Sequence, residues 1–126
     1  MSSSATGRVG EHFAAYVLEA HGIEAQRVDT QYADLWCRVG DTLISVEVKT
    51  CSVPKWYHKR SLRGPRYAFN VKSKKHGWFC FVALDIRLML LRPVEEVGKA
   101  SSISLSSKLF TPESQSNSIE KFLKSC

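Results

Sequence analysis

The sequence predicts an α/β fold in which helices flank one mixed central β-sheet. Two observations carry that prediction. After a polar start, apolar residues recur at helical spacing, and the chain continues in short runs rich in β-branched and aromatic residues, two of them separated by a Gly-Asp turn signal. With 126 residues the chain has the usual size of one globular domain. We therefore expect a single domain over 1–126, with a core over about 7–97 and a serine-rich extension over 99–126.

The elements follow in order. Val9, Phe13, Val17 and Ala20 recur at helical spacing, which predicts a helix over 6–21 that stops at Gly22. A short strand is expected over 23–28. A second over 33–39 and a third over 43–50 are joined by Gly40-Asp41, and the third, Leu-Ile-Ser-Val-Glu-Val-Lys-Thr, is the clearest strand of the chain. Residues 54–76 are basic and aromatic. Gly64-Pro65 splits them into a loop and a strand over 67–71 expected to return to the sheet. The unbroken apolar run over 78–84, bounded by Gly77 and Asp85, reads as a strand buried on both faces. A further strand is expected over 87–92, and Pro93 opens a helical turn through Val97. The segment from Lys99 onward is expected to be loose apart from an edge strand over 103–110 and a helix over 118–124, with Ile119, Phe122 and Leu123 on its apolar side.

Composition narrows the class. Lys and Arg number 18 against 12 Asp and Glu, a formal charge of +6, with a pI near 9.3. That excess favours polyanionic partners such as nucleic acid. Cys37, Cys51, Cys80 and Cys126 form no CxxC pair and no zinc spacing, and Cys37 and Cys80 sit in apolar runs as reduced, hydrophobe-like residues. No run reaches the roughly 18 apolar residues of a membrane span, and the polar opening is unlike a secretory signal. The expectation is an intracellular protein, cytoplasmic or nucleoid-associated, with no membrane partner.

Side chains alternate along a strand. In the 43–50 run, Ile44, Val46 and Val48 share a core face, while Leu43, Ser45, Glu47 and Lys49 share the other. A carboxylate and an ammonium two residues apart either form a rim ion pair or belong to a site, because buried charge must be paired or hold a metal. Asp34 interrupts an apolar stretch where the neighbouring strand begins. In a hairpin across Gly40-Asp41 it lies near the Glu47–Lys49 end; alone it would read as a strand-edge aspartate. Asp34, Glu47 and the Val48 main-chain carbonyl together supply the hard oxygen ligands that magnesium prefers. Glu11 lies off the Val9–Phe13–Val17 stripe, on a helix face shared with Ala14, Ala15 and Leu18. The small alanines let the helix approach the sheet, so that Glu11 reaches the same site directly or through a water.

Glu11, Asp34 and Glu47-Val48-Lys49 together resemble the signature of the PD-(D/E)XK nuclease superfamily. Ala33 stands where the family name has proline, a replacement common in that superfamily. Gly7-Arg8-Val9-Gly10-Glu11, Glu47-Val48-Lys49-Thr50 and Tyr67-Ala68-Phe69-Asn70 resemble a narrower group: small homing-type endonucleases and Holliday-junction resolvases. The resemblance covers roughly residues 7–97. It implies a restriction-endonuclease-like core and Mg²⁺-dependent hydrolysis of DNA phosphodiesters that leaves a 5′-phosphate, with Mn²⁺ able to substitute. Asp34, Glu47 and the Val48 carbonyl would hold the metal, with Glu11 as an outer ligand or water-orienting group. Lys49 would position the attacking water or stabilise charge at phosphorus.

Between Val53 and His76 stand Lys55, Lys59, Arg60, Arg63, Arg66, Lys72, Lys74 and Lys75 with no Asp or Glu among them. Directly after the Glu47–Lys49 strand, this arm is expected to neutralise DNA phosphates. Trp56 and Tyr57 would either stack on bases or anchor the loop. Cutting two strands in register calls for a homo-oligomer, a dimer or higher, in contact through an exposed strand near Trp78 or the C-terminal helix. Site-specific duplex cleavage of homing or restriction type is the leading expectation. A structure-specific Holliday-junction resolvase and a non-catalytic DNA-binding module are the alternatives, with a protein–protein adaptor carrying an accidental motif as a further rival.

Overall fold

The computed structural model describes residues 1–28, 30, 33–56, 64–72 and 76–126. Its element order is α1 (Ser3–Ala20), β1 (Glu24–Arg27), β2 (Leu35–Val39), β3 (Thr42–Cys51), β4 (Arg66–Asn70), β5 (Trp78–Ala83), β6 (Leu88–Pro93), α2 (Val94–Val97), β7 (Ser102–Ser106) and α3 (Pro112–Lys124). The main sheet runs β1-β2-β3-β5-β6. Its pairs are antiparallel except β3–β5, where Val46 to Cys51 lie parallel to Trp78 to Ala83. This is the expected mixed α/β sheet with helical cover.

The central strand β5 is buried at every residue, as its unbroken apolar run implied. Trp78, Cys80 and Val82 enter the core under α1 and α3, and Phe79, Phe81 and Ala83 enter the core on the other face. A dimer contact through the strand at Trp78 is therefore ruled out, because that strand lies between β3 and β6 and has no free edge. Cys37 and Cys80 are free, buried thiols, and burial pushes Cys37 up to about 12 and Cys80 upward as well.

Three expectations change. Helix α1 starts at Ser3, with the Ser2 hydroxyl accepting from Ala5 N–H (3.2 Å). It buries Gly10, Ala14, Val17 and Leu18 and leaves Val9 exposed. Val17 thus faces inward as expected and Phe13 packs against the core, whereas Val9 turns outward and Gly10 takes the position closest to the sheet. Strand β4 does not rejoin the main sheet. It pairs antiparallel with β7 in a two-stranded ribbon, and Tyr67 and Phe69 pack from it onto the Phe79–Phe81 face. The serine-rich segment is ordered: after β7 and a 3₁₀ turn, the Thr111 hydroxyl caps α3 at Ser114 N–H (3.0 Å), with Pro112 in the first turn. Ile119 and Phe122 are fully buried, the latter edge-on to Trp78 at 5.0 Å, and Ser118 Oγ accepts from Leu91 N–H. Among the described residues no helix is long and apolar enough to cross a membrane.

Candidate active site

Strand β3 presents Glu47 and Lys49 on the face opposite Val46 and Val48, as alternation requires. Their side chains are 15% and 27% exposed, and Lys49 Nζ lies 3.3 Å from Glu47 Oε1. So the ion pair is real. It sits at the margin of the face that β4 covers, neither fully solvated nor sealed.

Asp34 comes to this pair as β2 begins. Its N–H donates to the Val46 carbonyl (3.0 Å), and its own carbonyl accepts from Val28 N–H (2.9 Å). Its Oδ2 then accepts from Val48 N–H (2.8 Å). The register that pairs Leu35 with Val46 puts Asp34 across from Glu47. Beyond Asp34 the chain bends away, closed by the Thr30 hydroxyl, which donates to the Ala33 carbonyl (2.9 Å) and accepts from Ala33 N–H (3.1 Å). The carboxylate of Asp34 therefore takes the place of the next ladder carbonyl. Main-chain N–H and C=O of one strand residue project to the same side, so the Val48 carbonyl points past the end of β2, toward the side where Asp34 sits. A side-chain acceptor satisfies Val48 N–H here, which accounts for a polar residue interrupting the apolar run.

Glu11 reaches the region from α1. Its Oε1 lies 3.3 Å from an Arg27 guanidinium nitrogen of β1. Glu11 and Asp34 line one cleft of about 380 Å³ with Arg8, Arg27 and Val28. Val48 and Lys49 line another, of about 530 Å³, with Ser3, Thr6 and Gly7 of α1. What joins the helix to the strand is Gly10. A β-carbon there would stand 1.8 Å from Thr50 Oγ1, and that buried hydroxyl has no hydrogen-bond partner among the described residues. Glu11 and Lys49 are the immediate neighbours of these two contacting residues. The structure thus brings Asp34 to β3, pairs Glu47 with Lys49, and places Glu11 beside Asp34. Among the described residues it does not gather three acidic, histidine or cysteine side chains into one metal-binding group.

The basic arm is more divided than its composition suggests. Lys55 forms a bridge with Arg66, each N–H donating to the other's carbonyl at 2.8 Å. Arg66 is turned onto the ribbon, where Nε donates to Ser104 Oγ and a terminal nitrogen to the Ser104 carbonyl, both at 2.9 Å. Trp56 and Lys72 are exposed, whereas Tyr67 is core, donating its hydroxyl to Asp85 (2.7 Å). Burial and that bond both raise the Tyr67 pKa. Lys59, Arg60, Arg63, Lys74 and Lys75, with Tyr57, lie outside the described residues.

Sequence reasoning missed Arg8 and Arg27 in the Glu11–Asp34 cleft, and nothing in the sequence signals them. It also missed the Gly10–Thr50 contact, for which a signal existed. Glycine inside a helix costs about 1 kcal/mol relative to alanine and is kept where a neighbour must come close.

The chain has a restriction-endonuclease-like fold. Among solved structures it is similar to that of a bacterial homing endonuclease, I-Ssp6803I, with a TM-score of 0.71 over 98% of this chain and 93% of that one, at 17% sequence identity. The likeness is one of fold, and it agrees with the mixed sheet and helical cover that the sequence predicted. No protein-family model and no curated protein matches the sequence.

Proposed function

We propose that the chain is a Mg²⁺-dependent endonuclease that hydrolyses DNA phosphodiesters, acting on specific duplex sites as a homo-oligomer inside the cell. One observation carries this reading: Asp34 is held by Val48 N–H at the strand-β2 end of the Glu47–Lys49 pair. The fold it shares with a protein described as a homing endonuclease supports it, as does the charge of +6.

The donors suit the metal. Two carboxylates and a main-chain carbonyl are hard oxygen ligands, and Mg²⁺ takes one or two carboxylates while keeping several waters. A three-acid protein cage is not required. In this reading Asp34, Glu47 and the Val48 carbonyl hold the ion, with Glu11 set back and acting through water. Bound Mg²⁺ would supply Lewis-acid polarisation of the phosphodiester and a more acidic water. Lys49, two residues from Glu47 on the same face, donates hydrogen bonds to the attacking water or to the charge that builds at phosphorus. Lys55 and Lys72, with the arm residues Lys59, Arg60, Arg63, Lys74 and Lys75, neutralise backbone phosphates, while Arg66 is braced to Ser104.

Supercoiled plasmid and a synthetic four-way junction, incubated with Mg²⁺ or with EDTA, test the reading. Mg²⁺-dependent cutting of plasmid that disappears in both Glu47→Ala and Lys49→Ala is the expected result. Exclusive cutting of the junction would transfer the activity to structure-specific resolution. DNA binding with no cutting of either substrate would leave a non-catalytic binding module.

A further inference from the structure

The ribbon of β4 and β7 has no part in the chemistry above, and the serine pattern of β7 is unexplained by the core. Alternation separates its two faces. Tyr67, Phe69, Ile103 and Leu105 pack inward. The outward face is a ladder of three cross-strand pairs: Arg66 with Ser106, Ala68 with Ser104, and Asn70 with Ser102. Ala68, Asn70 and Ser102 are exposed, and a groove of about 570 Å³ lies over this face.

We propose that this face of the ribbon enters the major groove of duplex DNA and reads base edges. The inference rests on the DNA-binding part of the function proposed above and adds to it where sequence is recognised. A two-stranded ribbon is narrow enough for the major groove. The residues it presents are those suited to base edges: asparagine is bidentate to adenine, serine can donate or accept, and alanine contacts the thymine methyl. All are short, so the backbone can approach closely, and none is acidic. The surrounding sequence agrees. Residues 53–76 contain no Asp or Glu, and neither do residues 98–112, so both strands and their flanks are free of charge that phosphates would repel. Arg66 is already fixed across the ladder by its two bonds to Ser104, which spares the ribbon the ordering cost of its longest side chain. The Lys55–Arg66 bridge ties the ribbon to the segment leaving β3, the strand that carries Glu47 and Lys49.

The test is selection of bound duplexes from a library with a randomised window, at moderate salt and without divalent metal, followed by sequencing. The full chain is compared with Asn70→Ala, Asn70→Gln and Ser102→Ala, each confirmed folded by its thermal transition. The expected result is a consensus for the unmodified chain and a loss of about tenfold or more in preference at one or two adjacent base pairs in Asn70→Ala. The rest of the consensus should persist, and Asn70→Gln, which keeps the amide, should restore the lost positions at least in part. A consensus identical in all variants would overturn the proposal, and so would bound DNA with no consensus at all. Failure of the unmodified chain to retain any duplex, even at low salt, would instead overturn the DNA-binding reading on which it rests.

Discussion

Replacing Gly10 with alanine adds one methyl group at the closest approach of α1 to β3. The new carbon would stand 1.8 Å from Thr50 Oγ1, 2.8 Å from its Cβ and 2.9 Å from its Cγ2. Ordinary contact begins near 3.4 Å, so the helix must lift by about 1.6 Å or tilt to the same effect. Overpacking of this kind costs about 1–3 kcal/mol. Alanine in place of a helical glycine returns about 1 kcal/mol, so the net loss should be about 0–2 kcal/mol, a fall in Tm of about 10 °C at most. Activity should fall further than stability. Glu11 is the next residue on the helix, and a misplacement of about 1 Å in a catalytic arrangement can lower the rate on the order of 100-fold. The assay pairs a thermal melt with single-turnover plasmid cleavage in saturating Mg²⁺. Thr50→Gly removes all three clashing atoms, so Gly10→Ala with Thr50→Gly should cut faster than Gly10→Ala alone, judged against Thr50→Gly by itself. Thr50→Ala leaves the Cβ clash in place and should rescue less. Wild-type cleavage by Gly10→Ala, or a Thr50→Gly background that rescues nothing, would refute the view that this contact positions the site.

The carboxylates separate chemistry from folding: Asp34→Asn keeps an acceptor for Val48 N–H, so its Tm should shift by roughly 1 kcal/mol equivalent or less while Mg²⁺-dependent cleavage falls at least about 100-fold, and parallel losses of Tm and activity would contradict that role. Phe122→Ala should cost about 3–5 kcal/mol in a denaturant titration, because the ring is fully buried against Trp78; a loss below about 1 kcal/mol would mean that α3 is not docked. The folded Cys37 thiol keeps its proton to about 12 against 9.0 for an ordinary thiol. The unfolded chain therefore ionises first, so the stabilisation is complete below about pH 9 and is lost as pH climbs toward 12. Urea midpoints should decline over that range and decline less in Cys37→Ala, whereas equal slopes would remove burial of this thiol as a cause.

Patterns within one element were readable from the sequence. The unbroken run 78–84 gave a central strand because burial on both faces leaves no polar position, and alternation in 43–50 put Glu47 and Lys49 on one face. The Gly40-Asp41 turn fixed the hairpin register closely enough to bring Asp34 to Val48. What was not readable depends on partners far away in the chain. Tyr67 and Phe69 announce a strand, but nothing local names β7 as its mate. On α1 the reading placed Val17 and the Ala14–Leu18 face correctly but misjudged Val9, because hydrophobic size was the guide at a turn where the helix meets Thr50 so closely that only glycine fits at position 10. Serine content made the C-terminal segment look loose. Thr111-Pro112 was a legible start signal for α3, outweighed by composition. Arg27 meets Glu11 only through the packing of α1 on β1, which no spacing encodes.

The single parallel pairing in the sheet, β3 with β5, has a consequence for how this protein can change over generations. Parallel neighbours cannot be joined by a tight turn, so residues 52–77 must cross from the end of β3 to the start of β5. That obligatory crossing is also where the lysines and arginines and strand β4 reside. Doubling the length of such a connection costs only about 0.6 kcal/mol in closure entropy. Outside β4, whose Tyr67 and Phe69 belong to the core with the adjoining Val71, added length in this connection leaves Glu47 and Lys49, anchored upstream on β3, in their positions. The connection can thus be lengthened ahead of β4 at little cost to the fold, and a designer could graft there too.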